Sequence, residues 1–327
     1  MIRETAMSDR AFTRVAPNVP VLTVTINPAI DVFIHVDALA AGTLHRVPAP
    51  IQQVGGKGIN VSRTLHALGQ ASISLGFVGG ARGDWLEAQL ADMVTEFTHI
   101  REQTRMNVKV IESDGRLTEF NSPAPAILDS EWQSFRHTLQ HHLPHAKWLA
   151  LCGNVPDTVD PAFYRDAIRL AADHGVRCVL DASGEALRLG VTAKPFLVKP
   201  NLVELAELTG HEVIEPEDAM DGAMQLVRTG IDLVVVSMGG DGLIAATAKE
   251  QWVARVPSVP VVSSVGAGDA VVAGLLYGLS QYSSLREAVR FAAAVGTAKV
   301  TCEGTSNPSR DEIDHIFRDV EVAAWRG

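Results

Sequence analysis

Four short stretches of the chain bring glycines and polar residues together where a helix begins or a strand ends. The first is Val265-Gly266-Ala267-Gly268-Asp269-Ala270, set directly before an apolar helical run. Successive glycines let backbone N–H groups converge, and a helix N-terminus adds partial positive charge, so this stretch can form an anion hole. Such a hole suits charge developing on a transferring phosphoryl group. Asp269 falls in the first helical turn, where its carboxylate can be aimed at a hydroxyl as general base. A Gly-rich loop with a capping Asp explains the same residues, and the stretch alone does not separate the two.

The second stretch, Gln53-Val54-Gly55-Gly56-Lys57-Gly58-Ile59-Asn60, also leads into a helix. Its glycines admit a ligand to the backbone, and Lys57 and Asn60 direct polar groups to the same place. It is not a Walker A loop, because Gly58 follows Lys57 where Ser or Thr is needed. No GxGxxG follows a strand either: Val271 fills the third glycine position after Gly266 and Gly268. P-loop and dinucleotide-binding readings both lose their support. In the third stretch, Lys199-Pro200-Asn201-Leu202-Val203-Glu204, Asn201 and Glu204 are spaced to share a helical face and to reach one hydrated Mg²⁺. The same spacing makes a capping box. The fourth, Ser237-Met238-Gly239-Gly240-Asp241-Gly242, closes a Val-rich strand and reads equally as a hairpin turn or a nucleotide-contacting loop.

The elements that must hold these stretches follow from hydrophobic periodicity. Apolar runs predict strands over 21–26, 73–78, 148–151, 176–180, 196–198 and 233–236. Helical spacing predicts helices over 58–68, 83–97, 161–173, 202–208, 217–228, 268–279 and 285–299. Strands alternating with helices imply right-handed crossovers and an α/β fold with a mostly parallel sheet covered on both faces. Segments 30–53 and 107–121 break the alternation with β-branched residues and turn signals. We read them as antiparallel strands of a small β-sheet lid, the alternative being two hairpins that never meet.

Composition narrows the functional classes. The 327 residues carry 28 Lys plus Arg against 38 Asp plus Glu, a net charge of −10, which disfavours a nucleic-acid partner. Apolar runs are shorter than the ~20 residues needed to cross a bilayer, so no membrane role is expected. Cys152, Cys178 and Cys302 form neither a disulfide framework nor a zinc site. Eleven histidines, His141, His142 and His145 among them, show no metal-ligand spacing and read as surface. Residues 1–19 read as a loose tail without a signal-peptide core, Met7 being an alternative start, and the expected location is cytoplasmic.

Taken in order, these blocks resemble the PfkB group of ribokinase-like sugar kinases from Val21 to about Pro308. The likeness is to the branch acting on phosphosugars: 1-phosphofructokinase, tagatose-6-phosphate kinase and the minor 6-phosphofructokinase. It is carried by Thr25-Ile26-Asn27-Pro28-Ala29-Ile30-Asp31, the 55–63 segment, Thr104-Arg105-Met106-Asn107-Val108-Lys109, Asp181-Ala182-Ser183-Gly184-Glu185-Ala186-Leu187, the 199–204 segment and Gly266 to Asp269. The resemblance implies a ribokinase-like three-layer α/β/α core over 20–320, with a lid from about 30–53 and 107–121.

By resemblance, Asp269 is the general base, with Gly266, Ala267 and Gly268 as anion hole. Lys199, Asn201, Glu204, Ser237, Gly239, Gly242 and Ser264 match nucleotide-site positions, with Glu204 and Asn201 near Mg²⁺ through water and ATP as phosphoryl donor. Asp31, Gly55, Gly56 and Asn60 match sugar-hydroxyl positions. Lys57, Arg105 and Arg46 are the cations for a substrate phosphate, though Arg46 reads equally as a solvated lid residue. The resemblance extends to a K⁺ effect near the helix after Gly268, for which no residue pattern speaks, and to a homodimer through the lid.

One segment departs from the family. Where relatives have Gly-Ser-Leu-Pro-x-Gly, this chain has Gly153-Asn154-Val155-Pro156-Asp157-Thr158, which leaves the phosphosugar open. The expected reaction is ATP-dependent phosphorylation of fructose 1-phosphate to fructose 1,6-bisphosphate. Tagatose 6-phosphate and fructose 6-phosphate are its competitors, followed by an unphosphorylated sugar or nucleoside. A non-catalytic sugar-phosphate sensor is the rival from another class.

Overall fold

A computed structural model describes residues 20–326; the tail expected over 1–19, with Met7, lies outside the described residues. The chain runs β1 (Val21–Thr25), β2 (Ala29–Val36), β3 (Ile51–Gly55), α1 (Lys57–Ala67), β4 (Ser72–Gly79), α2 (Gly80–Ala88), β5 (Val94–Ile100), β6 (Arg105–Glu112) and β7 (Leu117–Asn121). It continues through α3 (Asp129–His142), β8 (Trp148–Cys152), α4 (Phe163–Asp173), β9 (Arg177–Asp181), α5 (Gly184–Val191), β10 (Leu197–Val198), α6 (Leu202–Thr209), α7 (Pro216–Arg228) and β11 (Leu233–Ser237). It ends with β12 (Leu243–Ala246), β13 (Gln251–Arg255), α8 (Ala267–Gln281), α9 (Leu285–Lys299), α10 (Arg310–Asp319) and β14 (Glu321–Ala324).

Ten strands form one sheet in the order β14-β13-β12-β11-β10-β9-β8-β1-β4-β5. The run from β11 to β5 is parallel, and β12, β13 and β14 add antiparallel strands at one edge. Strand faces alternate as period-2 geometry requires: Leu22 and Val24 of β1 join the core under α3, α4 and α7, whereas Val21 joins the core under α1, α8 and α9. Thr23 on that second face hydrogen-bonds Ser62 of α1 at 2.8 Å, so its buried hydroxyl is satisfied. Both faces are covered, and strands such as Leu233–Val236 are accordingly apolar throughout.

The strand order reverses between β1 and β8: β4 and β5 follow β1 to one side, β9, β10 and β11 follow β8 to the other. A crevice opens at the carboxyl ends of strands at such a switch point, and ligands of open α/β sheets bind there.

Segments 29–55 and 105–121 do meet, in a separate four-stranded sheet of order β3-β2-β6-β7. The expectation of antiparallel strands needs correction at its centre, where β2 and β6 pair in parallel; β3 and β7 flank them antiparallel. Parallel pairing follows from the long excursion through α1, β4, α2 and β5 that separates the two strands. Val54 ties this sheet to the body by packing with Ile59, Val78, Leu86 and Leu90.

The predicted 83–97 helix is also corrected. α2 stops at Ala88, and 94–100 forms β5, which pairs with β4 from Ile73↔Val94 onward. Leu86 and Leu90 prolong the helical spacing past the true end, while Val94, Thr95 and Thr98 favour a strand.

Candidate active site

A cavity of about 1270 Å³ occupies the crevice and extends under the small sheet. That volume exceeds the roughly 300–1,000 Å³ of a single small-molecule pocket, and it is room for two substrates side by side.

Its floor is backbone at a helix N-terminus. Gly266 caps α8 with φ +77°, a left-handed conformation that glycine adopts without strain. Ala267 N–H turns back to the Ser264 carbonyl at 3.3 Å, leaving the Gly268 and Asp269 amides at the head of the helix. A methyl group added at Gly268 would stand 3.5 Å from Lys199 Nζ, so an ammonium group borders the same spot.

Asp269 lies in the first turn of α8 and is 5% exposed. Asn60 Nδ2 donates to its Oδ2 at 2.9 Å, while Asn60 Oδ1 is buried without a partner. Burial and the negative charge of Asp181 push the Asp269 carboxyl up to about 6, against the pull of Lys57, Asn60 and Lys199. A carboxylate so raised is a better base than an exposed one and is still ionised at neutral pH.

Asp181, at the end of β9, is fully buried. Its Oδ1 faces Lys57 Nζ at 3.4 Å and Lys199 Nζ at 3.3 Å, and its Oδ2 has no partner. Burial opposes its charge, yet Lys199 and Lys57 hold the carboxyl below its usual range. Asp181 in turn raises Lys57, against the cost of burying the ammonium group. One carboxylate thus anchors a cation from α1 and another from the end of β10. The sequence reading assigned Asp181 no role. Its place at the head of the 181–187 segment, at the carboxyl end of a central strand, is the available signal.

Asn201 and Glu204 line the cavity as a closed capping box: Glu204 N–H donates to Asn201 Oδ1 at 2.8 Å and Asn201 N–H to Glu204 Oε2 at 2.9 Å. The local stop signal and the cavity wall are the same residues. Ser237, Gly239, Gly242 and Ser264 line the wall beside them, and 239–241 form a 3₁₀ turn joining β11 to β12.

The small sheet supplies the opposite wall. Asp31 Oδ1 accepts from Asn107 Nδ2 at 2.9 Å, and Lys109 Nζ stands 3.8 Å from Oδ2. Arg105 uses three of its five N–H groups, two on the Asn27 carbonyl and one on Asn107 Oδ1, and presents the others to the cavity. Asn107 and Lys109 alternate with Arg105 along β6, so strand period alone puts them on its wall. The buried Asn27 Oδ1 has no partner.

Gly56, Lys57, Asn60 and Asn154 line the cavity. Gly55 instead backs Asp31: a Cβ there would come within 2.6 Å of Oδ2. Arg46 is exposed on the loop between β2 and β3 and is not among the cavity residues. Thr158 is likewise off the wall, its hydroxyl reaching the Pro125 carbonyl at 3.5 Å. Of the three departures in the 153–158 segment, Asn154, Val155 and Thr158, Asn154 alone lines the cavity. His141 and His145 are exposed as expected, but His142 is half-buried beside Glu96, Nε2 to Oε2 3.5 Å.

A parallel α/β crevice, a helix N-terminus bearing a buried carboxylate, and a polar lid define a phosphotransferase acting on a polyol. The chain belongs to the pfkB family of carbohydrate kinases, whose pattern matches residues 18–312, and its fold is ribokinase-like. Membership implies ATP as co-substrate and, as a rule, a divalent metal. It is 38% identical over 304 residues to 1-phosphofructokinase of Bacillus subtilis, covering 92% of this chain and 99% of that one. It is 31% identical over 307 residues to tagatose-6-phosphate kinase of Staphylococcus epidermidis, covering 92% and 99%. Phosphofructokinase-2 from Escherichia coli, solved with substrates and products, superposes with a TM-score of 0.87 at 31% identity, covering 92% and 99%. Among the described residues no helix is long and apolar enough to cross a membrane.

Proposed function

We propose that this chain transfers the γ-phosphoryl group of MgATP to a hydroxyl of a ketohexose phosphate, converting fructose 1-phosphate to fructose 1,6-bisphosphate. The observation that carries the reading is a buried Asp269 at the head of α8, in one cavity with Lys57, Arg105 and Lys109. Asp269 takes the proton of the acceptor hydroxyl as its oxygen attacks the γ-phosphorus, the bond to the β-phosphate oxygen breaks, and ADP leaves. The backbone at Gly266 to Gly268 and the ammonium of Lys199 receive the charge on the transferring group. Asn60 orients the base through its hydrogen bond, and Asp31 takes sugar hydroxyls. Lys57 and Arg105 take the phosphate already on the sugar, for which a planar guanidinium is well shaped. Val256, Val259 and Val261 give the nucleotide end an apolar wall for a base.

Glu204 and Asn201, hard oxygen donors side by side on the cavity wall, fit a hydrated Mg²⁺ and would hold it through water. Bound there it supplies charge neutralisation to the ATP phosphates. For K⁺ we assign no residues.

The proposal includes a homodimer through the lid, supported by exposed Ile51, Leu117 and Phe120 on the edge strands β3 and β7. Sedimentation of Phe120→Asp should then report a smaller species than wild type. Three free cysteines suit a reducing, cytoplasmic setting.

The deciding experiment is ADP release with MgATP against fructose 1-phosphate, fructose 6-phosphate, tagatose 6-phosphate, fructose and ribose. Turnover on fructose 1-phosphate above the others is expected. Turnover on tagatose 6-phosphate instead would assign to Asn154 a role in choosing the sugar. Activity on unphosphorylated sugars alone would overturn the roles given to Lys57 and Arg105, and silence on all five would favour the sensor.

A further inference from the structure

Lys299, the last residue of α9, is 2% exposed and has no part in the mechanism above. Its Nζ donates to the Gly304 carbonyl at 2.6 Å. Its Cε lies 3.1 Å from where a Cβ on Gly266 would be, so the side chain runs directly behind the first glycine of the anion hole. Burial lowers its ammonium to about 8, with Cys302 and Asp269 acting to keep the charge and Arg63 against it.

Gly304 in turn touches the lid. Gln53 Oε1 accepts from Thr305 N–H at 2.6 Å and stands where any Cβ on Gly304 would have to go; Gly304 itself has φ +52°. Gln53 belongs to β3 and pairs in register with Asp31, the residue proposed to take sugar hydroxyls. The 301–307 segment is also pinned to α1, by Arg63 Nη1 to Thr305 Oγ1 at 2.8 Å and Thr64 Oγ1 to Asn307 Oδ1 at 3.1 Å. A continuous set of contacts therefore leads from the lid strand to the floor of the cavity.

We propose that Gln53, Gly304 and Lys299 form a positioning link through which the acceptor, seated on the lid, sets the backbone of Gly266 for transfer. The statement about the acceptor rests on the kinase reading above; the link itself does not. Gln53 presents a single acceptor atom to Thr305, and Lys299 presents a short, buried reach from Gly304 to Gly266. Neither touches the reacting atoms, so both act on turnover rather than on acceptor affinity.

Hydrogen exchange on the ligand-free chain reads the link without any assumption about substrate. Gln53→Ala should speed exchange about fivefold or more both at 304–305 and at 264–268, while peptides of α7 stay at wild-type rates. Gln53→Glu keeps the acceptor and should restore protection at both places. A change confined to 304–305 would overturn the link. Should Gln53→Ala fail to fold, Lys299→Met tests the same path from the other end, with the same two peptides expected to respond together.

Activity then supplies a second reading. Gln53→Ala and Lys299→Met should each lose about tenfold in kcat with the acceptor KM within twofold, and their double variant should lose no more than the more damaging single, since one path is cut only once. Losses that multiply in the double variant would overturn the link. A wild-type chain that shows the exchange coupling but phosphorylates no phosphosugar would overturn the substrate reading and leave the link standing.

Discussion

The two walls of the cavity are built from different materials. The floor around Gly266 to Asp269 is main chain and buried charge, set on α8, a helix buried along most of its length. The lid wall is side chain: Asp31, Arg105, Asn107 and Lys109 project from a four-stranded sheet whose edge strands are half open to solvent. On the proposed reading, the chemistry of transfer falls where the backbone fixes it, and discrimination between sugars falls where single side chains can change without disturbing the core.

If that division holds, a change in the floor alters rate and a change in the lid alters selection. Asp269→Asn should give the largest effect, a fall of about 10²–10⁴-fold in kcat with phosphosugar affinity retained in equilibrium binding. The same variant should be more stable. The folded pKa of about 6 lies above the ordinary carboxyl value of 3.8, so the ionised group costs folding free energy at neutral pH, and its removal returns up to about 3 kcal/mol. That cost vanishes as pH falls toward the unfolded value, so thermal melts at pH 7.5 and pH 4.5 should show the difference shrink. An unchanged kcat would remove Asp269 from the mechanism.

Arg105→Ala comes next and acts on the other wall: roughly 10–100-fold higher KM for the phosphosugar, with kcat and the KM for ATP within a few-fold in steady-state assays. A matching loss in kcat would erase the contrast between floor and lid. The third effect is a pH profile. Because Asp269 must be ionised to accept a proton, kcat/KM should fall about tenfold per pH unit below about pH 6 and level off above it. Asn154→Ser should do least, shifting the ratio of kcat/KM between fructose 1-phosphate and tagatose 6-phosphate by roughly 3–10-fold. No shift in the ratio would clear Asn154 of any part in choosing the sugar.

Legibility from sequence followed how local each feature is. α9 spans Leu285–Lys299 as its periodicity predicts, because Ser284 caps it and Glu287 completes the first turn. The helix start at Gly266 to Asp269 and the Asn201–Glu204 capping box are readable because each is complete within four consecutive residues. α3 was missed: its exposed His and Gln residues dilute the apolar stripe that Phe135 and Leu139 carry. The short strands β12, β13 and β14 at this end of the sheet were missed as well, since four or five residues leave little periodicity to read. Asp181 escaped because its meaning lies in Lys57, 124 positions away, and Lys199, and no local pattern announces a shared carboxylate. For Arg46 the sequence leaves two readings open, and the structure puts it on an exposed loop outside the cavity, as the solvated-residue reading has it.

The charges on the floor also bear on which form of the nucleotide can enter. Around the cavity Lys57, Arg105, Lys109 and Lys199 are matched by Asp31, Glu119, Glu204 and Asp269, with Asp181 buried behind two of the cations, so the cleft offers a polyanion no net positive charge. Bare ATP arrives with its full negative charge and meets that deficit unaided, whereas the metal complex carries its own countercharge. On the proposed reading the floor would thereby act as a valve on speciation: free nucleotide would compete poorly, and turnover would follow the supply of divalent cation as closely as the supply of ATP itself.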